Sequence, residues 1–287
     1  MRWLFPLVAA LVVGCGLASH ASASTPTDAQ LLARYAPILV LHPEERFQPE
    51  AVDGYLADAD LVGGHYDQRL CKSVDGPAAL DCYANADAAH AQPPAVYGAV
   101  LRRGNRIALE YWLFYAFDLY VPASEIWQDH EADWEAITVL LDAKRRPLLV
   151  GTSRHCGGAR RDWSAVTRRG TRPVIYVALG SHANYFLPGL PPLERRCWPD
   201  VALAVFKAYN VALVDRLAVG RTIAGARVVP VTATSPSWMA FAGQWGETQY
   251  VHFSNNAPFA FGFGPSGPVS HALWRHPVAT VLGWPRC

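Results

Sequence analysis

The sequence predicts a mostly β protein: a single-domain β sandwich with a few peripheral helices and long loops. Short runs rich in β-branched and aromatic residues recur between Pro, Gly and Arg turns. No long amphipathic helix lies between them to make βαβ crossovers. The chain has 287 residues, 51% apolar and 17% charged, which supports a sizeable core within the size one sandwich can reach. No internal repeat or low-complexity linker divides it, so residues 24–287 are expected to form one domain.

Residues 1–23 read as a signal peptide. Arg2 supplies a positive start, and residues 3–13 form an apolar stretch too short to span a bilayer. Ala21-Ser22-Ala23 is a small-residue processing site that places cleavage before Ser24. A second site competes: Val12-Val13-Gly14-Cys15 has the form of a lipobox, which would end the signal at Gly14 and lipidate Cys15. Either site implies an exported protein, periplasmic or secreted, with a lipid anchor through Cys15 in the second case. Removing Arg2 from 25 basic residues leaves 24 against 24 acidic ones, a balance that excludes a nucleic-acid surface or a polybasic membrane patch. No later apolar run is long enough for a membrane helix.

In the mature chain, residues 27–35 predict a helix capped by Thr27 or Asp28, with Leu31, Leu32 and Tyr35 on one face and Pro37 beyond its end. Residues 38–41 form a short strand, and residues 43–105 read as loops with short elements. Strong strand signals follow at residues 107–117, 134–141, 148–153 and 174–179. Apolar spacing predicts a helix over residues 201–217. The Gly- and Pro-rich tail around Gly262, Gly264, Pro265, Gly267 and Pro268 reads as an ordered surface loop. Export favours disulfides. Cys71–Cys82, bracketing a turn-rich segment, is the first expectation and Cys156–Cys197 the second, which leaves Cys287 alone.

The chemistry concentrates in His130-Glu131-Ala132-Asp133-Trp134-Glu135. On a strand, Asp133 and Glu135 share one face while Trp134 points into the core. His130 sits on the incoming loop, and Asp118 closes the preceding aromatic strand. If those strands pair through a loop over 119–129, Asp118, His130, Asp133 and Glu135 converge as metal ligands. The competing reading is a solvated strand edge whose acids pair with arginines. His155 and His182 follow strand-like runs, at junctions where sites are usually built. Each is a structural histidine or, in an enzyme, a catalytic proton-transfer group. No nucleophile elbow, phosphate loop or His-Glu-x-x-His occurs.

Several ordered motifs resemble those of the vacuolar protein sorting-associated protein 62-like family. They are the segment from Tyr35 through Pro49, the block His130-Glu131-Ala132-Asp133-Trp134-Glu135, the block Gly180-Ser181-His182-Ala183, and the closing stretches Phe241 through Glu247 and Gly264 through Pro268. That resemblance implies little about activity. A more distant similarity links the aromatic strand ending in Asp118, and the block that follows, to the necrosis-inducing, cytolysin-like proteins. It implies a β sandwich and a divalent cation held by Asp118, His130, Asp133 and Glu135 and used at a membrane glycolipid. Glu131 and Ala132 replace that family's Arg-His pair, and the loop after Asp118 is longer.

Three functions follow as expectations. The first is an exported protein that binds a glycan or lipid headgroup through a divalent cation, with Ca²⁺ or Mg²⁺ ahead of Zn²⁺ or Mn²⁺ because the donors are mostly oxygen. Trp127 and Tyr120, if exposed beside the site, would stack on sugar rings or reach an interface. The second is a metal-dependent hydrolase using His155 or His182 for proton transfer. The third is a structural envelope protein without a metal.

Overall fold

The computed structural model describes residues 26–71, 76–89, 93–123, 126–198, 200–208, 210–247, 249–253, 259–262 and 264–287. Residues 1–25, which hold the expected signal segment and Cys15, and residues 72–75 of the segment expected to be turn-rich lie outside them. The chain runs α1 (Asp28–Tyr35), β1 (Ile38–Leu41), α2 (Val52–Ala57), β2 (Ala59–Val62), β3 (His65–Gln68) and α3 (Gly76–Ala89). Next come β4 (Ala95–Arg103), β5 (Arg106–Ala123), β6 (Ile126–Asp142), β7 (Pro147–Arg154), β8 (Gly157–Asp162), β9 (Arg168–Arg169), β10 (Arg172–Val177) and β11 (Asn184–Tyr185). The remainder is α4 (Asp200–Ala208), β12 (Thr222–Ile223), β13 (Arg227–Pro230), β14 (Gln244–Trp245), β15 (Gln249–Phe253), β16 (Phe259–Gly262), α5 (Ala272–Arg275) and α6 (Pro277–Gly283). The fold is mostly β, as the strand signals predict. No described helix is long and apolar enough to cross a membrane.

The spine is the antiparallel hairpin of β5 and β6, paired from Arg106↔Asp142 to Ala123↔Ile126. On one side β4 pairs with β5, and β13 adds parallel to β4. On the other side the sheet forks. β15 and β16 continue from the first residues of β6, while β7 and β8 continue from its last third. A smaller sheet, ordered β11-β10-β1-β12 with β9 beside β10, has β1 and β10 parallel.

Period-2 alternation divides the hairpin's side chains between two cores. Leu109, Tyr111, Leu113 and Tyr115 of β5, with Ile137, Val139 and Leu141 of β6, meet α1 and the smaller sheet through Leu31, Leu39, Ile175 and Val177. Trp112, Phe114, Trp134 and Ala136 point the other way, onto Tyr55, Trp238, Trp245, Leu273 and Trp274. Trp134 is therefore a core residue, as expected. α1 begins with a capping box in which Thr27 accepts from the Gln30 amide and Gln30 answers the Thr27 amide.

Both expected disulfides form, Cys71–Cys82 with Cα atoms 5.7 Å apart and Cys156–Cys197 with 5.3 Å, and Cys287 is free and exposed.

Five local expectations are corrected. The loop expected over 119–129 is mostly ladder, with Leu119↔Asp129 and Tyr120↔Gln128 paired. Apolar Leu119, Tyr120 and Ile126 are buried and carry the strand pattern past Asp118. Tyr120 and Trp127 are not exposed aromatics: Tyr120 is buried and donates to the Val214 carbonyl at 3.1 Å, and Trp127 packs partly buried against the first core. Residues 43–105 hold the 14-residue α3 and the nine-residue β4, whose Ala95, Val96, Tyr97 and Ala99 are buried. The helix expected over 201–217 stops at Ala208, and Asn210 is left-handed. The tail does not lie on the surface: Gly267 abuts the indole of buried Trp245, and α5 and α6 cover the second core.

Candidate metal centre

Asp118 and His130 are directly opposite in the β5–β6 ladder. Asp133 is three residues beyond His130, and on a regular strand would face the opposite side. Ala132 breaks the alternation with φ 55°. The result is a buried trio: one ligand atom each from Asp118, His130 and Asp133 lies within 4.8 Å of the others. Glu131, left on the far side of the kink, accepts from the backbone amides of Gln68 (2.6 Å) and Glu247 (3.3 Å). The motif thus splits into cavity residues and an anchor.

The donor set fits a divalent cation. His130 Nδ1 donates to the Ala132 carbonyl at 2.6 Å, which turns Nε2 toward Asp118 Oδ2, 3.6 Å away. Asp118 Oδ1 is buried with no hydrogen-bond partner. Burial pushes the Asp118 carboxyl up to about 7, with His130 opposing and Asp133 adding to the rise. A bound cation would reverse that cost by satisfying the orphaned oxygen. Among the described residues no arginine pairs with Asp118, Asp133 or Glu135, so the solvated-edge reading has no support here.

Glu135, the fourth expected ligand, stands outside the trio. Its carboxylate accepts from Ser153 Oγ. Burial first, and Asp133 beside it, hold its carboxyl well above the ordinary range. It nevertheless lines the same cavity of about 260 Å³, together with the trio and His155.

The two expected proton-transfer histidines part company. His182 is fully buried, with its ring stacked on Tyr115 at 3.8 Å. Its Nδ1 is 3.1 Å from Asp133 Oδ2 and its Nε2 is 3.7 Å from Glu45 Oε1. Burial opposes its charge, but Glu45 and Asp133 more than offset this and raise it to about 10. With a carboxylate at each nitrogen, His182 braces Asp133 from behind and does not reach the cavity. Glu45 is itself fixed by the amides of Gly180 (2.7 Å) and Phe47 (2.9 Å).

His155 is half-buried at the tip of the β7–β8 hairpin and faces the cavity. Its Nε2 bonds Asp215 Oδ2 at 2.8 Å. Asp215, fully buried, also accepts from Ser181 Oγ (2.7 Å) and Tyr185 OH (2.5 Å).

Sequence reasoning missed Asp215, Glu45 and His271. Asp215 was hidden inside the expected helix, although a lone acid in Ala212-Leu213-Val214-Asp215 is a signal of a buried polar role. His271 also lines the cavity, with Nε2 2.8 Å from the Ser266 carbonyl and burial lowering its basicity.

No family model matches the chain, so its likeness to the vacuolar protein sorting-associated protein 62-like family rests on motifs alone. No curated protein matches either. Solved structures do overlap it. Necrosis and Ethylene inducing Protein 2, from the causal agent of cocoa's Witches Broom disease, is 18% identical, with 57% of this chain and 69% of that one covered at a TM-score of 0.38. NLPPya in complex with mannosamine is 21% identical, with 56% and 70% covered at a TM-score of 0.38. A structure described as a toxin fold for microbial attack and plant defense is 21% identical, with 56% and 71% covered at the same score. These are partial overlaps, and they carry no inference about this chain's activity.

Proposed function

We propose that this is an exported protein that holds a divalent cation with Asp118, His130 and Asp133 and uses it to bind an oxygen-rich ligand, a glycan or a lipid headgroup. The observation that carries the reading is the buried trio, with no guanidinium counter-charge among the described residues and with an orphaned Asp118 oxygen. Two carboxylates and one imidazole suit a hard cation that keeps water or ligand oxygens, which puts Ca²⁺ or Mg²⁺ first and Zn²⁺ or Mn²⁺ second. Glu135 supplies a further oxygen at the cavity wall, and the cavity gives a headgroup room beside the trio.

The test is metal analysis of the mature protein, followed by calorimetric titration with Ca²⁺ and Mg²⁺. Wild type should bind one equivalent and melt higher with cation present, since a ligand of the native state alone raises the melting temperature. Asp133→Asn should abolish that rise. A melt indifferent to chelator and to every added cation would overturn the cation reading. Intact mass settles the processing: a chain beginning at Ser24 supports signal-peptidase cleavage, and a lipidated chain beginning at Cys15 supports the anchor.

A further inference from the structure

We propose that His155, oriented by Asp215, is a proton-transfer dyad facing the cation trio, and that the protein hydrolyses an uncharged carboxylic ester bound between them. The cation reading above supplies only what sits opposite the dyad.

The dyad has the construction of a positioned base. Asp215 is buried with no guanidinium or ammonium among its partners; its donors are His155, Ser181 and Tyr185. A buried carboxylate costs several kcal/mol of desolvation unless it is hydrogen-bonded, and here three donors fix its orientation. The Nε2 contact commits one ring nitrogen of His155 to Asp215 and leaves Nδ1 as the other. His155 has φ 50° at the hairpin tip, and the next residue, Cys156, is tied to Cys197. Asp118, His130 and Asp133 line the same cavity as His155. The two halves are electrostatically in touch, because Asp118 and Asp133 both act on the imidazole.

The charge of the cavity selects the substrate. Among the described residues, no lysine or arginine lines it. A divalent cation would be neutralised by Asp118 and Asp133, so nothing would remain to balance a phosphate anion, a phosphodiester's single charge included, whereas an uncharged ester needs no counter-charge. In the step, a water gives its proton to His155 Nδ1 as its oxygen bonds to the carbonyl carbon. The bond from that carbon to the alkoxy oxygen breaks, and the departing oxygen takes the proton back from His155. The products are a carboxylic acid and an alcohol, with no change of oxidation state.

The charged and titratable groups facing His155 are Asp215 behind it, Asp118 from β5, His130, Asp133 and Glu135 from β6, and His271 from the C-terminal segment. Arg154 beside it is paired with Glu194 at 3.2 Å. Burial disfavours the imidazolium, but Asp215, joined by Asp118 and Asp133, outweighs this, and the group is raised. As the free base is the active form, kcat/KM should climb with pH to a plateau above that raised value.

The experiment measures hydrolysis of p-nitrophenyl acetate and bis-p-nitrophenyl phosphate by the full mature protein, calcium-loaded and chelator-treated, alongside an NMR titration of the His155 ring. His155→Gln should lower kcat/KM on the acetate by at least about 100-fold, the low end for a general base. Asp215→Asn should move both the NMR titration and the acid limb of the rate profile to lower pH. Should Asp215→Asn fail to fold, Tyr185→Phe and Ser181→Ala each remove one donor that stabilises the carboxylate, leave it the stronger acceptor for His155, and should shift the titration to higher pH. Wild-type turnover of the acetate retained in His155→Gln, no turnover in wild type, or turnover of the phosphodiester alone would each overturn the proposal. Loss of cation binding with the His155 titration intact would sink the cation reading and not the dyad.

Discussion

Glu110 offers a measurement of buried charge well separated from the cation trio. It sits in the first third of β5, fully buried, opposite Thr138 of β6. One carboxyl oxygen accepts from Trp112 Nε1 at 2.8 Å and the other has no partner. Burial raises its carboxyl from 4.5 to about 8, with the Trp112 bond and Arg103 opposing. The folded protein therefore keeps this proton up to about pH 8, whereas the unfolded chain releases it above 4.5. Between those values the native state binds more protons, so stability falls as pH rises. At about 1.4 kcal/mol per pH unit, the wild type forfeits on the order of 5 kcal/mol across the window. Glu110→Gln keeps the shape and the acceptor for Trp112 but cannot ionise. The stability gap between variant and wild type should widen by about 3–4 kcal/mol from pH 5 to pH 8. Any fixed cost of the amide, and the slopes from other buried acids, cancel in that difference. Urea denaturation at pH 5, 6.5 and 8 reads it directly. Parallel pH curves for the two proteins would refute the assignment of a neutral, desolvated Glu110.

Three further outcomes are expected. Cys156→Ser with Cys197→Ser opens a loop of 41 residues and should cost about 4 kcal/mol in a thermal or urea melt, by the loop-entropy relation; a loss under about 1 kcal/mol would mean that the unfolded chain is little constrained by the bridge. Ala132→Val places a β-branched residue at φ 55° and should cost about 2 kcal/mol or more, while Ala132→Gly, free of the left-handed penalty, should stay within about 1 kcal/mol of wild type. Gly180→Ala puts a methyl 1.9 Å from the Leu119 carbonyl oxygen at φ 75°, and should lower stability by more than about 2 kcal/mol and weaken cation-linked stabilisation, because the Gly180 amide holds Glu45; an unchanged melt would show that this turn relaxes freely.

What was legible in the sequence depended on how local the controlling physics was. The aromatic run ending in Phe117, the alternation around Trp134 and the two cysteine pairings follow from period and spacing, and the structure has them. Asp118 opposite His130 also followed, once the two strands were taken as a hairpin. Ala132 was not legible as a kink, because alanine tolerates ordinary strand backbone and only the tertiary ladder shows its left-handed angle. Asp215 was obscured because the apolar residues from Val201 onward fit a helical period, whereas the helix stops at Ala208 and Asn210 turns left-handed. Glu45 and His182 lie 137 residues apart in the chain. Their partnership arises from the parallel β1–β10 pairing, which sets the loops after both strands side by side, and no short-range pattern encodes such a pairing.

The placement of the arginines argues for function at this cavity. The chain carries 25 basic residues, and several sit on exposed carboxylates such as Asp28, Asp60 and Asp81, where pairing contributes little. Among the described residues, the buried acids Asp118, Asp133 and Glu135 have no arginine or lysine partner. Folding alone would favour the reverse, because a desolvated carboxylate is the costly one. His182 offsets Asp133 from behind and leaves the cavity side uncompensated. Stability forgone at one place, in the presence of abundant cationic side chains elsewhere, is what a site that awaits an external positive charge requires. A guanidinium brought to the trio would show the same thing from the other direction: Gln128→Arg, at the cavity wall, should raise stability in chelator while abolishing the cation-dependent rise in melting temperature. A variant that gains neither would mean that the acids are already neutral and that the trio has no appetite for a cation.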